Sequence, residues 1–138
     1  MFQNTKQYPK LSVKAIFRFN NKVLYYKTTK EIRDVPGGHI EFGESILDAL
    51  KRELDEEIGF NLNFEPELIY NWSYIKKEKS IHRVYFVYLI NLSEQLEFKS
   101  KEYPNEIEFI WLDKDKIKKQ NFLPDFEKSL LIAAEYKK

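Results

Sequence analysis

The chain has 138 residues and a formal net charge of +1, with 43% hydrophobic residues, 33% charged residues and no cysteine. These values indicate a folded globular protein, and the missing cysteines exclude disulfides, thiol catalysis and cysteine-ligated zinc. The near-neutral charge gives no electrostatic reason to expect a nucleic acid or an anionic membrane as a partner.

One domain over residues 1–138 is expected, because this length suffices for a hydrophobic core but is short for two domains. The first residues lack the apolar stretch of a signal peptide, and no apolar run approaches membrane-spanning length. A cytoplasmic location is therefore the expectation.

The first predicted elements are two strands and a loop. Residues 11–19 alternate between an apolar face and a mixed face, which is typical of a strand. Asn20-Asn21 predicts a hairpin turn because Asn tolerates positive φ, so residues 23–27 would form the returning strand. The polar segment 28–34 is expected to be a loop.

A turn of sequence Pro36-Gly37-Gly38 comes next. Proline fixes φ, whereas the glycines permit backbone conformations that a side chain would block. Such a turn can aim a main-chain carbonyl at a bound ion, although by itself it indicates only a tight turn.

A long helix is predicted over residues 45–58, which contain no Gly or Pro. Its apolar stripe consists of residues at helical spacing: Leu47, Leu50, Leu54 and Ile58. Glu44 or Ser45 is the expected N-cap, and Gly59 suits the position just after the last turn.

Three glutamates of this helix, Glu53, Glu56 and Glu57, stand at i, i+3 and i+4 and crowd one face. Like charges at this spacing cost about 0.2–0.5 kcal/mol per pair, so a cation should compensate. Clustered carboxylates suit Mg²⁺ or Mn²⁺, which usually also bind substrate phosphate. A solvated acidic face is the simpler alternative when such a triplet stands alone.

The rest of the sequence predicts further strands over residues 68–75, 81–90 and 107–112, with a short one at 96–98. A short helix is predicted at 113–120 with Asp113 as its cap, and Pro124 begins a C-terminal helix. Because apolar faces must be buried, helices covering a mixed sheet are the simplest arrangement.

The stretch from Gly38 to Phe60 resembles the Nudix box, Gly-x5-Glu-x7-Arg-Glu-U-x-Glu-Glu-x-Gly-U, in which U is bulky and apolar. The matching residues are Gly38, Glu44, Arg52, Glu53, Leu54, Glu56, Glu57 and Gly59. Phe60 departs, being aromatic where an aliphatic residue is usual, and this should affect packing and not chemistry. The resemblance to the MutT-like Nudix hydrolases implies an α/β protein, the α/β/α sandwich with a mixed sheet.

This resemblance also implies an activity: Mg²⁺-dependent (or Mn²⁺-dependent) hydrolysis of a diphosphate bond in a nucleoside diphosphate derivative. Nucleoside triphosphates, dinucleoside polyphosphates, nucleotide sugars and ADP-ribose are all open as substrates. Some ADP-ribose-cleaving relatives carry a proline near the position of Ile75, which disfavours that subgroup. A nucleotide-sensing binding module without catalysis is the alternative, but such relatives usually have damaged boxes.

The family's site residues carry over by position. The implied metal ligands are Glu53, Glu56, Glu57 and the carbonyl of Gly38 or its neighbour Gly37. Arg52 should orient the carboxylates, with Glu44 behind it. The general base in this family is either a box glutamate or an acidic residue of a later loop, which here would be Glu102 or Glu106, and Glu106 is the preferred candidate. Candidate substrate contacts are Lys14, Arg18, Arg83 and Trp72. A small nucleotide is the implied partner, with no nucleic acid or membrane, and a homodimer is a further expectation.

Overall fold

The computed structural model describes residues 7–61 and 63–137. Positions 1–6, 62 and 138 lie outside the described residues, so the domain bounds 1–138 stay a prediction. In chain order, the described strands and longer helices are β1 (Lys10–Phe19), β2 (Lys22–Thr28), β3 (Arg33–Asp34), β4 (Gly37–His39), α1 (Ile46–Ile58), β5 (Glu67–Lys76), β6 (Ile81–Asn91), β7 (Ile107–Asp113) and α2 (Pro124–Glu135). Two 3₁₀ helices, Lys77–Lys79 and Lys114–Gln120, complete this part of the chain.

The strands form one mixed sheet in the order β3-β2-β1-β6-β5, with β7 on β2 and β4 on β1. Strand β1 runs parallel to β6 and antiparallel to its other neighbours. Strands β2 and β4 share the edge of β1 that is opposite β6. There β2 pairs with β1 only at Arg18 and Phe19, whereas β4 pairs with β1 over Ser12–Lys14. The sheet therefore splays open beside the first half of β1, and β4 enters there.

The two long helices cover opposite faces of the sheet. The α1-side core contains Phe17 from β1 with Leu50 and Leu54 from α1, and the α2-side core contains Ile16 with Leu130 from α2. The predicted α/β/α sandwich is confirmed. In the second half of β1, from Ala15 to Arg18, both faces are buried, because α2 covers the face that the sequence presents as mixed.

The predicted helix is present as α1, and its ends follow the predicted capping. The hydroxyl of Ser45 accepts a hydrogen bond from the Asp48 amide at 3.1 Å, and Gly59 ends the helix with φ +65°. The predicted stripe is wrong at Leu47, which is 44% exposed in the first turn. Phe60 packs edge-on against Phe17 with ring centroids 4.9 Å apart, so the aromatic side chain that differs from the box pattern is accommodated in the core.

The structure differs from the sequence-based prediction of secondary structure in three parts of the chain. Residues 96–98 form no strand, because this segment is tied down by a side chain, with Trp111 Nε1 donating to the Leu96 carbonyl at 3.0 Å. The predicted helix at 113–120 is the 3₁₀ helix Lys114–Gln120, and the side chain of Asp113 makes no capping hydrogen bond. Strands β3 and β4 occupy the predicted loop and turn, because β3 pairs with β2 and β4 pairs with β1.

None of the helices in the described part of the chain combines the length and the apolar character that a membrane crossing requires.

Candidate active site

The candidate site lies where the acidic face of α1 meets β4. The Glu53 carboxylate is packed so closely against Gly38 that a Cβ at this glycine would collide with it. At Gly37 a Cβ would collide with the carbonyl oxygen of Val13, and φ there is +152°. The two glycines therefore let β4 lie flat between β1 and α1, which brings main-chain atoms of the turn to the carboxylates.

The outer edge of β4 carries hydrogen-bonding groups that β1 does not use. In the strand register Gly37 is opposite Lys14, and His39 is opposite Ser12. The backbone hydrogen bonds between the strands on either side of these pairs are donated by Ile40 to the Leu11 carbonyl and by Ala15 to the Pro36 carbonyl. In an antiparallel ladder, hydrogen-bonded residue pairs alternate with non-hydrogen-bonded ones, so the N–H and C=O of Gly37 and His39 face away from β1. Accordingly, the Gly37 amide donates to Glu57 Oε2 at 2.9 Å, and the His39 carbonyl accepts from Arg52 Nη2 at 3.0 Å.

Arg52 links the carboxylates to one another. It donates to both oxygens of Glu44, at 2.7 Å from Nε and 3.0 Å from Nη2, which is the bidentate geometry that makes such pairs strong. Its Nη1 donates to Glu53 at 2.9 Å and to Glu56 at 3.4 Å. These hydrogen bonds lower the pKa of Glu44 to about 2 and raise the pKa of Arg52, so both remain charged.

Glu57 is the carboxylate with the most perturbed environment. Burial raises its pKa to about 7, against the opposing effects of the Gly37 hydrogen bond and the Lys14 charge. The nearby charges of Glu53 and Asp34 raise the pKa of Glu57 further. Half-buried carboxylates that crowd in this way repel one another, and a bound cation would remove the repulsion.

The described residues hold no group of three or more His, Cys, Asp or Glu side chains already arranged for a metal ion. The reason lies in the hydrogen bonds just described, because Glu53 is turned toward Arg52 and Glu57 toward the Gly37 amide. Glu56 is half exposed, at 53%. The donor set of carboxylates beside a glycine carbonyl nevertheless has the oxygen chemistry that Mg²⁺ or Mn²⁺ requires.

The loop that carries the predicted general base docks on the end of α1. The Lys101 amide donates to the main-chain carbonyl of Glu57 at 2.8 Å, and Lys101 Nζ donates to the Asp55 carbonyl at 3.3 Å. Glu106 follows in the turn before β7, where its main-chain N–H and C=O pair with Tyr103 and Thr29. These contacts hold the start of the loop, next to Glu102, against the helix that carries the three glutamates, whereas the backbone of Glu106 bonds to Tyr103 and Thr29.

The predicted substrate contacts divide into two groups. Lys14, Arg83 and Trp72 lie on the α2-side face of the sheet, and Lys14 is the register partner of Gly37 on β4. Lys14 is ion-paired with Asp34 at 3.0 Å, and Trp72 stacks on Tyr85 with centroids 4.5 Å apart. Arg18 lies apart from them.

The buried Arg18 guanidinium donates to Asn91 Oδ1 and to the carbonyls of Ala133 and Tyr136 at the end of α2. These bonds from Nε and Nη1 fasten α2 to β1, so the structure gives Arg18 a structural position.

Sequence reasoning missed three residues around the site: Tyr26, Asp34 and His39. Burial, together with the charges of Asp34 and Glu57, raises the pKa of Tyr26. His39 Nδ1 lies 3.0 Å from the Ser12 hydroxyl. An acidic residue placed two positions before the Pro-Gly-Gly turn was the available signal for Asp34, but the other two depend on strand pairing.

A groove of about 1190 Å³ lies on the far side of α1, and its lining includes Lys51, Arg52 and Asp55 but none of the three glutamates. We therefore place the chemistry at the α1–β4 contact, where the carboxylates converge, and not in this groove.

Comparison with known proteins gives three findings. The family profile described as NUDIX domain matches residues 9–131. The m7GpppN-mRNA hydrolase NUDT17 of Danio rerio is 29% identical over 72% of this chain, which spans only 39% of that protein. The crystal structure of a MutT NUDIX hydrolase from Burkholderia pseudomallei superposes with a TM-score of 0.75 at 22% identity, over 90% of this chain and 97% of that one.

A second solved structure, the dihydroneopterin triphosphate pyrophosphohydrolase of E. coli, has a TM-score of 0.70 at 13% identity, over 91% of this chain and 95% of that one. At these identities the two superpositions establish the fold, and the family profile covers most of the described residues.

Proposed function

This chain belongs to the NUDIX domain family, and from that premise we propose that it is a divalent-metal-dependent pyrophosphohydrolase acting on a nucleotide derivative. One observation carries the proposal: the box glutamates converge on the glycine turn, with Glu53 against Gly38 and Glu57 bonded to the Gly37 amide. A merely solvated acidic helix face would need neither contact.

Glu53, Glu56 and Glu57 would hold the metal, with the outward-facing carbonyl of Gly37 as a main-chain ligand. The strand register favours Gly37 over Gly38 in this role, because the Gly38 groups face β1 in the alternating pattern. Mg²⁺ or Mn²⁺ bound there neutralises phosphate charge and lowers the pKa of water.

The chain's own residues account for orientation and proton transfer. Arg52 holds Glu53 and Glu56 in place and is itself fixed by Glu44. The oxygen of water forms a bond to one phosphorus, the bridging P–O bond breaks, and the departing phosphate group keeps the bridging oxygen with its electron pair. The water proton passes to Glu106. Lys14, paired with Asp34 at 3.0 Å, is the proposed cationic contact for the substrate phosphates.

The relatives do not agree on a substrate. One is named as a hydrolase of capped mRNA and another as a dihydroneopterin triphosphate pyrophosphohydrolase. The diphosphate bond is what their substrates share, so a nucleoside diphosphate derivative is the proposed substrate class for this chain.

The test is product release from nucleoside triphosphates, dinucleoside polyphosphates, nucleotide sugars and ADP-ribose, each with Mg²⁺ and with EDTA. Wild-type protein is expected to cleave at least one class only when Mg²⁺ is present. The Glu57→Gln variant should lose at least 100-fold in kcat, because its side chain keeps the Gly37 hydrogen bond but lacks the charge.

Glu135→Gln is the matched control, since it makes the same substitution at an exposed position of α2. It should leave kcat unchanged. Full activity of Glu57→Gln would contradict the assignment, and a compound that raises the melting temperature without being cleaved would favour the binding-only alternative.

A further inference from the structure

The sheet carries an open face beside the candidate site, and strand pairing fixes which side chains share it. One row across the strands runs from His39 through Ser12 to Tyr85 and Trp72. The next row, one step farther from the site, consists of Lys10, Arg83 and Tyr74. This open face therefore combines aromatic rings with cationic side chains.

Helix α2 covers the neighbouring part of this side of the sheet and stops short of the open face. Its Asp125 accepts a hydrogen bond from the Tyr70 hydroxyl at 2.6 Å, and Lys128 lies over the Tyr70 ring. Beyond Tyr70, the rings of Trp72, Tyr74 and Tyr85 are only half buried. Base-sized planar groups would thus have access to them.

Three cations at the end of the open face have no acidic ion-pair partner among the described residues. In the described residues Lys14 has an ion pair, with Asp34, whereas Lys10, Lys77 and Arg83 have none. Lys10, Lys77 and Arg83 line a groove of about 560 Å³ at the end of the β5–β6 hairpin. Lys10 and Arg83 are register partners one step beyond Ser12, whose partner on β4 is His39, so these two cations lie next to β4.

The face has the composition of a surface that binds single-stranded nucleic acid. Such surfaces combine aromatic side chains, on which successive bases stack, with cations that follow the backbone. Trp72, stacked on Tyr85, and Tyr74, with Lys76 Nζ 6.0 Å from its ring, offer two stacking positions on one strand. A mononucleotide would use only one of them.

We infer that the open face binds the first nucleotides of a single-stranded RNA whose 5′ polyphosphate reaches the α1 carboxylates. The cleavage part of this inference rests on the proposed function, whereas the binding part does not. The net charge of +1 is no obstacle, because it averages this patch with acidic residues elsewhere in the chain.

The experiment compares a short 5′-triphosphorylated RNA with the nucleoside triphosphate that matches its first residue, both with Mg²⁺. Wild-type protein should show a kcat/KM at least tenfold higher for the RNA. In the double variant Lys10→Ala/Arg83→Ala, the ratio of kcat/KM for the RNA to kcat/KM for the nucleoside triphosphate should fall toward one. The control, Lys118→Ala/Lys119→Ala, removes two exposed cations from the 3₁₀ helix after β7 and should keep the wild-type ratio.

A second measurement does not depend on cleavage: fluorescence anisotropy of the same RNA in EDTA, over a range of salt concentrations. The Lys10→Ala/Arg83→Ala variant should bind the RNA at least fivefold more weakly. The magnitude of the slope of log binding constant against log salt concentration should be smaller by about one to two, since each lost phosphate contact contributes about 0.7.

The outcomes separate the two proposals. If the RNA binds through Lys10 and Arg83 but neither compound is cleaved, the hydrolase proposal fails and the open face stands as a nucleic-acid surface. If the nucleoside triphosphate is cleaved but the RNA is neither preferred nor bound, the inference is overturned and the hydrolase proposal stands.

Discussion

At the scale of single residues, Glu57 determines how the site behaves without metal. Its pKa is raised to about 7 by burial, from an ordinary value of 4.5. The folded protein therefore binds this proton more tightly than the unfolded chain. The resulting stabilisation is fully present below about pH 4.5 and is lost as the pH rises through 7.

This gives a prediction for the stability of the metal-free protein. Relative to Glu57→Gln, wild type should lose up to about 3 kcal/mol of unfolding free energy between pH 5 and pH 8, because Gln has no charge to bury. Urea unfolding of both proteins in EDTA at the two pH values measures the difference. A difference that does not change with pH would show that Glu57 titrates normally.

Glu106 is the second residue whose role can be isolated. A general base contributes typically 10²- to 10⁴-fold, so Glu106→Gln should lower kcat by at least 100-fold and remove the acidic limb of the pH–rate profile. Glu106 is exposed, and the variant should fold normally. Steady-state kinetics across pH checks this, with Glu135→Gln as the control, and an unchanged profile would move the role to another residue.

At the scale of elements, the contact between α1 and β4 depends on two glycines with different neighbours. The three atoms nearest to a Cβ at Gly38 belong to the Glu53 carboxylate, whereas the atoms nearest to a Cβ at Gly37 include the backbone of β1. A side chain can rotate away, but a strand backbone cannot. The two positions should therefore respond differently to alanine.

We expect Gly38→Ala to fold and to lose at least tenfold in kcat/KM, because Glu53 is displaced. Gly37→Ala should lose more than about 2 kcal/mol of stability, because β4 must move away from β1. Gly43→Ala, where a Cβ meets nothing within 4 Å but φ is +84°, isolates the cost of backbone strain. Urea unfolding and kinetics on the three variants test this, and equal stability losses at Gly37 and Gly38 would contradict it.

The elements also show which features a sequence can predict. The α1 helix, its Ser45 cap and its Gly59 end were predictable because they depend on neighbouring residues. Strand β4 was not, because only its pairing with β1 makes a three-residue strand of a glycine turn. For the same reason Tyr26 and His39 escaped notice, since nothing near them in sequence indicates their place beside the site.

At the scale of the whole molecule, Arg18 shows how a cation can be misassigned from sequence. Its position on the mixed face of β1 suggested a phosphate contact, but its three acceptors lie on β6 and at the end of α2. The positive guanidinium also suits the carbonyl end of that helix. Arg18 thus holds one layer of the sandwich to the sheet.

The Arg18→Met variant should therefore lose about 2–4 kcal/mol of unfolding free energy, because buried carbonyls lose a charged donor. The kcat/KM of the folded fraction should stay within about twofold of wild type. Urea unfolding and active-enzyme kinetics distinguish the roles. A large loss of kcat/KM at unchanged stability would restore Arg18 as a substrate contact.

The α1 carboxylates and the glycine turn are proposed to form one metal site. Mn²⁺ binding, followed by electron paramagnetic resonance, tests this without a known substrate. Wild type should bind Mn²⁺ with a Kd that rises at least tenfold in Glu57→Gln and stays unchanged in Glu135→Gln. Equal Mn²⁺ affinity in all three proteins would contradict the claim that these residues form a metal site.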